Sequence, residues 1–257
     1  IEIEKTLEED MRLLGIETTG PFCSVALKTE SEIYELSGDK KLNHLSGLTP
    51  MIKKITEEAG LTLKELDAIC VSEGPGSFTG IRIGVSTGRG IAQVLGLPLI
   101  SVPTIFAFGR DIFKKAKKNS GKEKNENLII ACPVFNARRN QVYAGAYRGN
   151  QEIVKAGPYM LEEFIEKLRG ELTASQDEAL YFAGDGVEAY GEQIKESMPK
   201  AHFLDICQSA LGVCDMAFYM LSNRNAFEDN LDLNYKNLKP NYMRMPEAER
   251  KLKEGKL

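Results

Sequence analysis

The chain has 257 residues, 42% hydrophobic and 27% charged, and its 33 basic against 37 acidic side chains leave a net charge of −4. That length supplies about two modest domains with cores of their own, and the acidic balance excludes a global positive field that would gather nucleic acid. Cys23, Cys70, Cys132, Cys207 and Cys214 lack C-x-x-C spacing and sit mostly in apolar runs, which points to reduced thiols in a cytoplasm rather than a disulfide framework.

Residues 1–10, IEIEKTLEED, have no apolar stretch and are not a signal peptide. They read as an extension or cloning remnant, with Met11 as the start. RLLGIETT reads as a strand, FCSVALKT as a second after a Gly20-Pro21 turn, and SEIYELSG as a third, so the three form a meander. Leu45, Leu48, Ile52, Ile55 and Ala59 recur at helical spacing, with Gly60 placed to end the helix and Pro50 irregular for its first turn. DAICVSEG is a buried type of strand, a glycine-rich helix follows it to about Gly96, and PLISV is again a strand. Gly90–Gly109 carries no charge, but Gln93, Gly96, Pro98, Ser101, Pro103 and Thr104 break it into helix end, turn, strand and turn rather than a membrane span. The order β-β-β-α-β-α-β is that of a ribonuclease-H-like α/β lobe, assigned to residues 11–112.

Next comes FKKAKKNSGKEKNEN, lysine-rich and polar, so residues 113–127 read as a lobe boundary or an exposed helix end. A second lobe, residues 128–225, has LIIACPVF and QVYAGAYR as strands around a NARRN turn and a helix near Leu161–Leu168. ALYFAGDG then leads into a helix from about Val187, and a last helix covers Leu211–Leu221. Residues 226–257 form a polar tail containing PNYMRMPEAER.

The stretch EGPGSFTGIRIGVSTGRG, Glu73–Gly90, has two readings. Ser77 or Thr79 is placed to cap a helix whose free N–H groups suit an anion. However, the spacing is neither G-x-x-x-x-G-K-[ST] nor G-x-G-x-x-G. Gly80, Gly84 and Gly88 continue as an i, i+4, i+8 stripe, each costing about 1 kcal/mol against alanine, and no anion at the helix start reaches Gly88. Close approach of a second helix, in this chain or another subunit, is the expected cause. On that reading Gly84→Leu blocks association and leaves the lobe folded.

LLGIETTGPFCSVAL, HLSGLTPMI, VSEGPGSFTGIRIGVSTGRGIA, PLISVPT, NARRNQVYAGAY and PNYMRMPEAE together closely resemble the TsaB family, formerly YeaZ, over nearly all of Met11–Arg250. The resemblance implies an actin-like ASKHA fold of two lobes, each a mixed sheet flanked by helices. It also implies a non-catalytic, cytoplasmic subunit of the bacterial complex that makes N6-threonylcarbamoyladenosine at position 37 of ANN-decoding tRNAs. The implied partners are a TsaD-type catalytic paralogue and a TsaE-type ATPase, with a homodimer when alone, tRNA only through the complex, and no membrane. TsaD binds its metal through H-x-x-x-H; here those positions fall at about Thr104 and Phe108, which cannot replace two imidazoles. No metal site, no catalytic residue and no cofactor of its own are therefore expected, with ATP or ADP at a site shared within the complex.

The expected partner interface is Leu45, Leu48, Ile52, Gly80, Gly84, Thr87, Gly88 and Ile91, two helices from each subunit making four. Thr18, Thr19, Gly74, Gly76 and Ser77 form the candidate nucleotide or anion loop. Glu17 falls where ASKHA kinases carry a metal-associated Asp, or is a polar strand end; Asn136 falls where many of them have Asp, and an amide is no general base. Arg138 and Arg139 are placed to meet a phosphate or are turn-exposed, Asp185 reads as a turn former, and His44 and His202 read as non-ligands. The competing function is an ASKHA-type ATP-binding phosphotransferase or hydrolase using the Glu17 turn and the Gly74–Gly76 loop. A metallopeptidase fails on the missing histidine pair, and a nuclease built on Glu17, Glu73 and Asp185 needs those carboxylates clustered on one metal ion.

Overall fold

The computed structural model describes residues 11–29, 31–38, 44–120, 125–173, 177–227 and 233–243. The expected extension 1–10, the side chains of His44 and Leu45, Lys122, Lys124 and the tail beyond residue 243 lie outside them. The N-terminal meander forms as β1 (Leu13–Glu17), β2 (Ser24–Lys28) and β3 (Ile33–Ser37), paired antiparallel. The helix α1 (His44–Glu58) keeps Pro50 inside it and leads to β4 (Ala68–Gly74), α2 (Phe78–Leu95) and β5 (Leu99–Pro103). β4 and β5 add in parallel, giving the order β3-β2-β1-β4-β5. Alternation along β1 splits its side chains between two layers. Leu14 and Ile16 face the side of α1 and α2 with Leu48, Ile52, Ile81 and Val85, and Leu13 faces the opposite side with Val213 and Met216.

The second sheet, order β10-β9-β6-β7-β8, comprises β6 (Ile129–Arg138), β7 (Gln141–Arg148), β8 (Gln151–Met160), β9 (Ala179–Ala183) and the short β10 (His202–Phe203). The helices α4 (Leu161–Glu171) and α5 (Asp185–Ser197) cover one face, where Phe164, Leu168, Tyr190 and Ile194 pack on Ile130, Cys132 and Val134. Two mixed sheets flanked by helices make the two-lobed, actin-like fold.

The division of the chain differs from the expected one. Residues 113–120 are no boundary: they are the second half of α3 (Thr104–Ser120), whose Ile105, Phe108, Ile112 and Ala116 pack on the second sheet beside Phe135 and Tyr181. The last helix, α6 (Ala210–Ser222), returns to the first sheet. Gly15 makes room for it, because a Cβ there would meet the Ala210 carbonyl oxygen at 2.5 Å. Each sheet is therefore closed by a helix that follows the other in sequence, and α3 packs against α6. Among the described residues no helix is long and apolar enough to cross a membrane.

Candidate functional site

The glycine stripe of α2 faces inward. A Cβ on Gly80 would lie 1.9 Å from the Thr18 carbonyl oxygen, one on Gly84 2.3 Å from Thr18 Oγ1, and one on Gly88 2.5 Å from Val71 Cγ2. These glycines let α2 settle on its own sheet, and Thr18 Oγ1 donates to the Gly80 carbonyl at 2.7 Å. The assignment of Gly80, Gly84 and Gly88 to a partner interface is thus corrected: the close neighbours are Thr18, just after β1, and Val71 of β4, not a second helix. Leu48 and Ile52 likewise belong to the lobe's own core, at 1% and 4% exposure. Of the expected set, Thr87 and Ile91 are half-buried at the edge.

Another flank of α2 is open. Ile83, Thr87, Gly90 and Val94 recur at spacings of four, three and four on one side of the helix. Val94 is 84% exposed and nothing lies within 4 Å of a Cβ on Gly90. α1 leaves Thr49, Pro50 and Lys53 exposed on its outer face. Thr87, expected in the partner interface, lies on this flank.

The second feature is a cleft of about 410 Å³ between the lobes. Thr19, Gly20, Gly76, Ser77 and Phe78 line one side, and Asn136, Arg138, Tyr143 and Asp185 line the other. Its first wall is held by Glu17, buried at the end of β1. Glu17 Oε1 accepts from Thr19 N (2.5 Å), Thr19 Oγ1 (2.6 Å) and Gly20 N (3.3 Å), and Oε2 accepts from Ser72 Oγ. Burial raises the Glu17 pKa against the lowering effect of those bonds. With both oxygens engaged in bracing the turn, the strand-end reading of Glu17 fits better than a metal-associated one.

Ser77 accepts from Gly80 N at 3.2 Å and donates its own N–H to the Thr19 carbonyl at 2.8 Å, which locks the start of α2 to the β1–β2 turn. Of the five candidate loop residues, Thr19, Gly76 and Ser77 reach the cleft, whereas Thr18 points into α2 and Gly74 turns away toward Asn241. Across the cleft, Asp185 Oδ1 accepts from Asn136 N at 2.9 Å, and Asn136 Oδ1 accepts from Arg138 N and Tyr190 Oη. Burial raises the Asp185 pKa. Arg138, Arg139 and Asn140 hold the NARRN turn at φ of 64°, 58° and 58°. Gln208 was not foreseen. It is 7% exposed, lies flat on Gly20, and its Oε1 has no hydrogen-bond partner among the described residues.

The two positions equivalent to metal ligands are committed elsewhere. Thr104 Oγ1 accepts from Gly74 N at 3.1 Å, and the Phe108 ring stacks on Phe135 in the core. These side chains do not fit a metal, and among the described residues no group of three or more His, Cys, Asp or Glu could hold one. His202 stacks on Tyr181 at a surface position.

The family described as TsaD, tRNA N6-adenosine threonylcarbamoyltransferase, matches residues 39–252. Two similar relatives, each named tRNA threonylcarbamoyladenosine biosynthesis protein TsaB, come from Buchnera aphidicola. The one from subsp. Schizaphis graminum is 34% identical over 145 residues, 56% of this chain and 64% of its own length. The one from subsp. Acyrthosiphon pisum is 31% identical over 175 residues, 65% of this chain and 75% of its own. A solved structure described as YeaZ from Pseudomonas aeruginosa has a TM-score of 0.67 at 24% identity, covering 90% of this chain and 99% of that one. That last likeness carries the fold alone.

Proposed function

The chain belongs to the TsaB family, within the wider TsaD family of tRNA N6-adenosine threonylcarbamoyltransferases, and from that membership we propose a non-catalytic subunit whose working part is an interface. Its role is in tRNA threonylcarbamoyladenosine biosynthesis, through a TsaD-type catalytic paralogue and a TsaE-type ATPase. The observation that carries the reading is the open flank of α2, where Val94 and Gly90 are exposed beside the half-buried Ile83 and Thr87. An exposed valine next to a bare, open Gly90 on one helix suits the close approach of a helix from another subunit. The same flank serves a homodimer when the paralogue is absent, so the two assemblies compete. tRNA is met only through the complex, in keeping with the net charge of −4.

The alternative, an ATP-binding phosphotransferase or hydrolase, draws on the cleft and on Gln208. Among the described residues Asp185 is the only carboxylate lining that cleft, and one of its oxygens is already taken by Asn136 N. A phosphotransferase needs carboxylates to hold Mg²⁺ against the phosphates. We therefore place any ATP or ADP at a site shared within the complex and give this subunit no cofactor of its own. Co-purification with the paralogue tests the reading, using Val94→Glu, which charges the flank without entering the core. The variant is expected to remain folded, lose the homodimer and the paralogue together, and no longer support tRNA modification. Intact association by Val94→Glu, or ATP turnover by the purified chain alone, would overturn it.

A further inference from the structure

Residues 233–243, part of the stretch read as a polar tail, lie along the side of α2 opposite its open flank. Leu99 N donates to the Leu233 carbonyl at 3.1 Å, and Arg89 Nη1 to the Leu238 carbonyl at 3.5 Å. Leu238 is buried in the same core as Val85 and Leu99. Asn241 then grips Glu73 twice: its backbone N–H donates to the Glu73 carbonyl at 2.8 Å and its Nδ2 to Glu73 Oε1 at 3.2 Å. Gly74, at φ 115°, permits this approach, since a Cβ there would stand 2.6 Å from the Asn241 carbonyl oxygen. Tyr242 packs on Phe78 at 4.8 Å between ring centroids and accepts from Arg82 Nε at 2.8 Å. Met243 ends the segment against the second lobe, on the cluster that contains Phe108 and Phe135.

We propose that Leu233–Met243 is a detachable clamp that holds the Glu73–Ser77 turn and the first turn of α2, and so sets the rim of the cleft. Glu73 and Gly74 lead directly into Gly76, Ser77 and Phe78, which line the cleft, and Tyr242 covers the exposed Phe78 ring. The segment is held by the buried Leu238, by the partly buried Leu233, Tyr235 and Met243, and by hydrogen bonds, without a helix or sheet ladder. Such a segment releases by local opening rather than by unfolding the lobe, because its ordering cost is met by side-chain anchors with no ladder of backbone bonds between them. Asn241 is a positioning residue, acting on the cleft through Glu73. The consequence for the paralogue rests on the interface reading above, because the clamp steadies the helix that carries the open flank.

Amide hydrogen exchange on the full chain tests the clamp. In the wild type, Asn241 N–H is expected to exchange at least tenfold faster than the amides of β1 and β4, while Ser77, Gly80 and Ile81 remain protected. Asn241→Asp replaces the Nδ2 donation to Glu73 with like-charge repulsion while leaving the backbone N–H in place, and is expected to speed exchange at Ser77, Gly80 and Ile81 at least tenfold while β6–β9 are unchanged. Tyr242→Ala, at an exposed position, is expected to do the same more weakly. Wild-type rates at Ser77–Ile81 in Asn241→Asp, or a tail that exchanges only with β1 and β4, would overturn the proposal. Faster exchange with unchanged paralogue binding upholds the clamp and tells against the interface reading.

Discussion

Alanine at successive glycines of α2 separates a helix packed on its own sheet from one shaped for a partner. Alanine gains about 1 kcal/mol of helix propensity at each position. At Gly90, where nothing lies within 4 Å of the new Cβ, that gain is kept, and melting rises by about 2–4 °C. At Gly84 the Cβ falls 2.3 Å from Thr18 Oγ1. Thr18 must rotate and give up its buried bond to the Gly80 carbonyl, or α2 must lift. The lost bond costs about 1–3 kcal/mol and the overpacking about the same, so Gly84→Ala is expected to destabilise by about 3 kcal/mol, a fall of about 6–12 °C. Gly80→Ala is worse, because its clash at 1.9 Å is with a backbone oxygen that no rotamer moves. Gly88→Ala is milder, its neighbour at 2.5 Å being a Val71 methyl. Differential scanning calorimetry gives the ranking, Gly90 above wild type and then Gly88, Gly84 and Gly80 below it. A Gly84→Ala protein as stable as wild type, or a Gly84→Leu protein that is a folded monomer, would refute the inward-facing stripe.

Glu17→Ala orphans Thr19 N and Gly20 N and is expected to cost about 2–4 kcal/mol, whereas Glu17→Gln keeps an acceptor and costs less than about 1.5 kcal/mol; equal losses in urea titrations would count against the bracing role. Burial lifts the Asp111 carboxyl from 3.8 to about 7. The unfolded chain releases that proton first, so the group's contribution is full below about pH 4 and is lost as pH rises through 7. Asp111→Asn should therefore gain on wild type by about 1–4 kcal/mol between pH 4 and 8, and a pH-independent difference in thermal melts would contradict this. Lys114 pairs with Asp215 and Lys117 with Glu126. Neutralising Lys115 and Lys118 should thus leave the salt slope of tRNA binding by the complex unchanged, and a slope reduced by about one per lysine would show phosphate contact.

The sequence alone determined the meander and the β4–α2–β5 alternation, because these rest on period-two and period-3.6 patterns; it left the cap of α2 open between Ser77 and Thr79 and did not mark β8 as a strand. The family motif is local too, since it reads as one unbroken run from Glu73 to Gly90. At α3 the lysine-rich stretch leaves a boundary and an exposed helix end both open, and the packing of Ile105, Phe108, Ile112 and Ala116 on the second sheet decides for the helix. Only the tertiary structure decided which side of α2 the glycines serve. A bare Cα stripe has the same pattern whether it meets a sheet or a second helix, and the choice is made by Thr18 and Val71, which lie 62 residues before Gly80 and 17 before Gly88. The same holds for Gln208 against Gly20 and Asn241 against Glu73. Both are single polar residues without local periodicity, and they acquire meaning only when the chain returns to the first lobe after building the second.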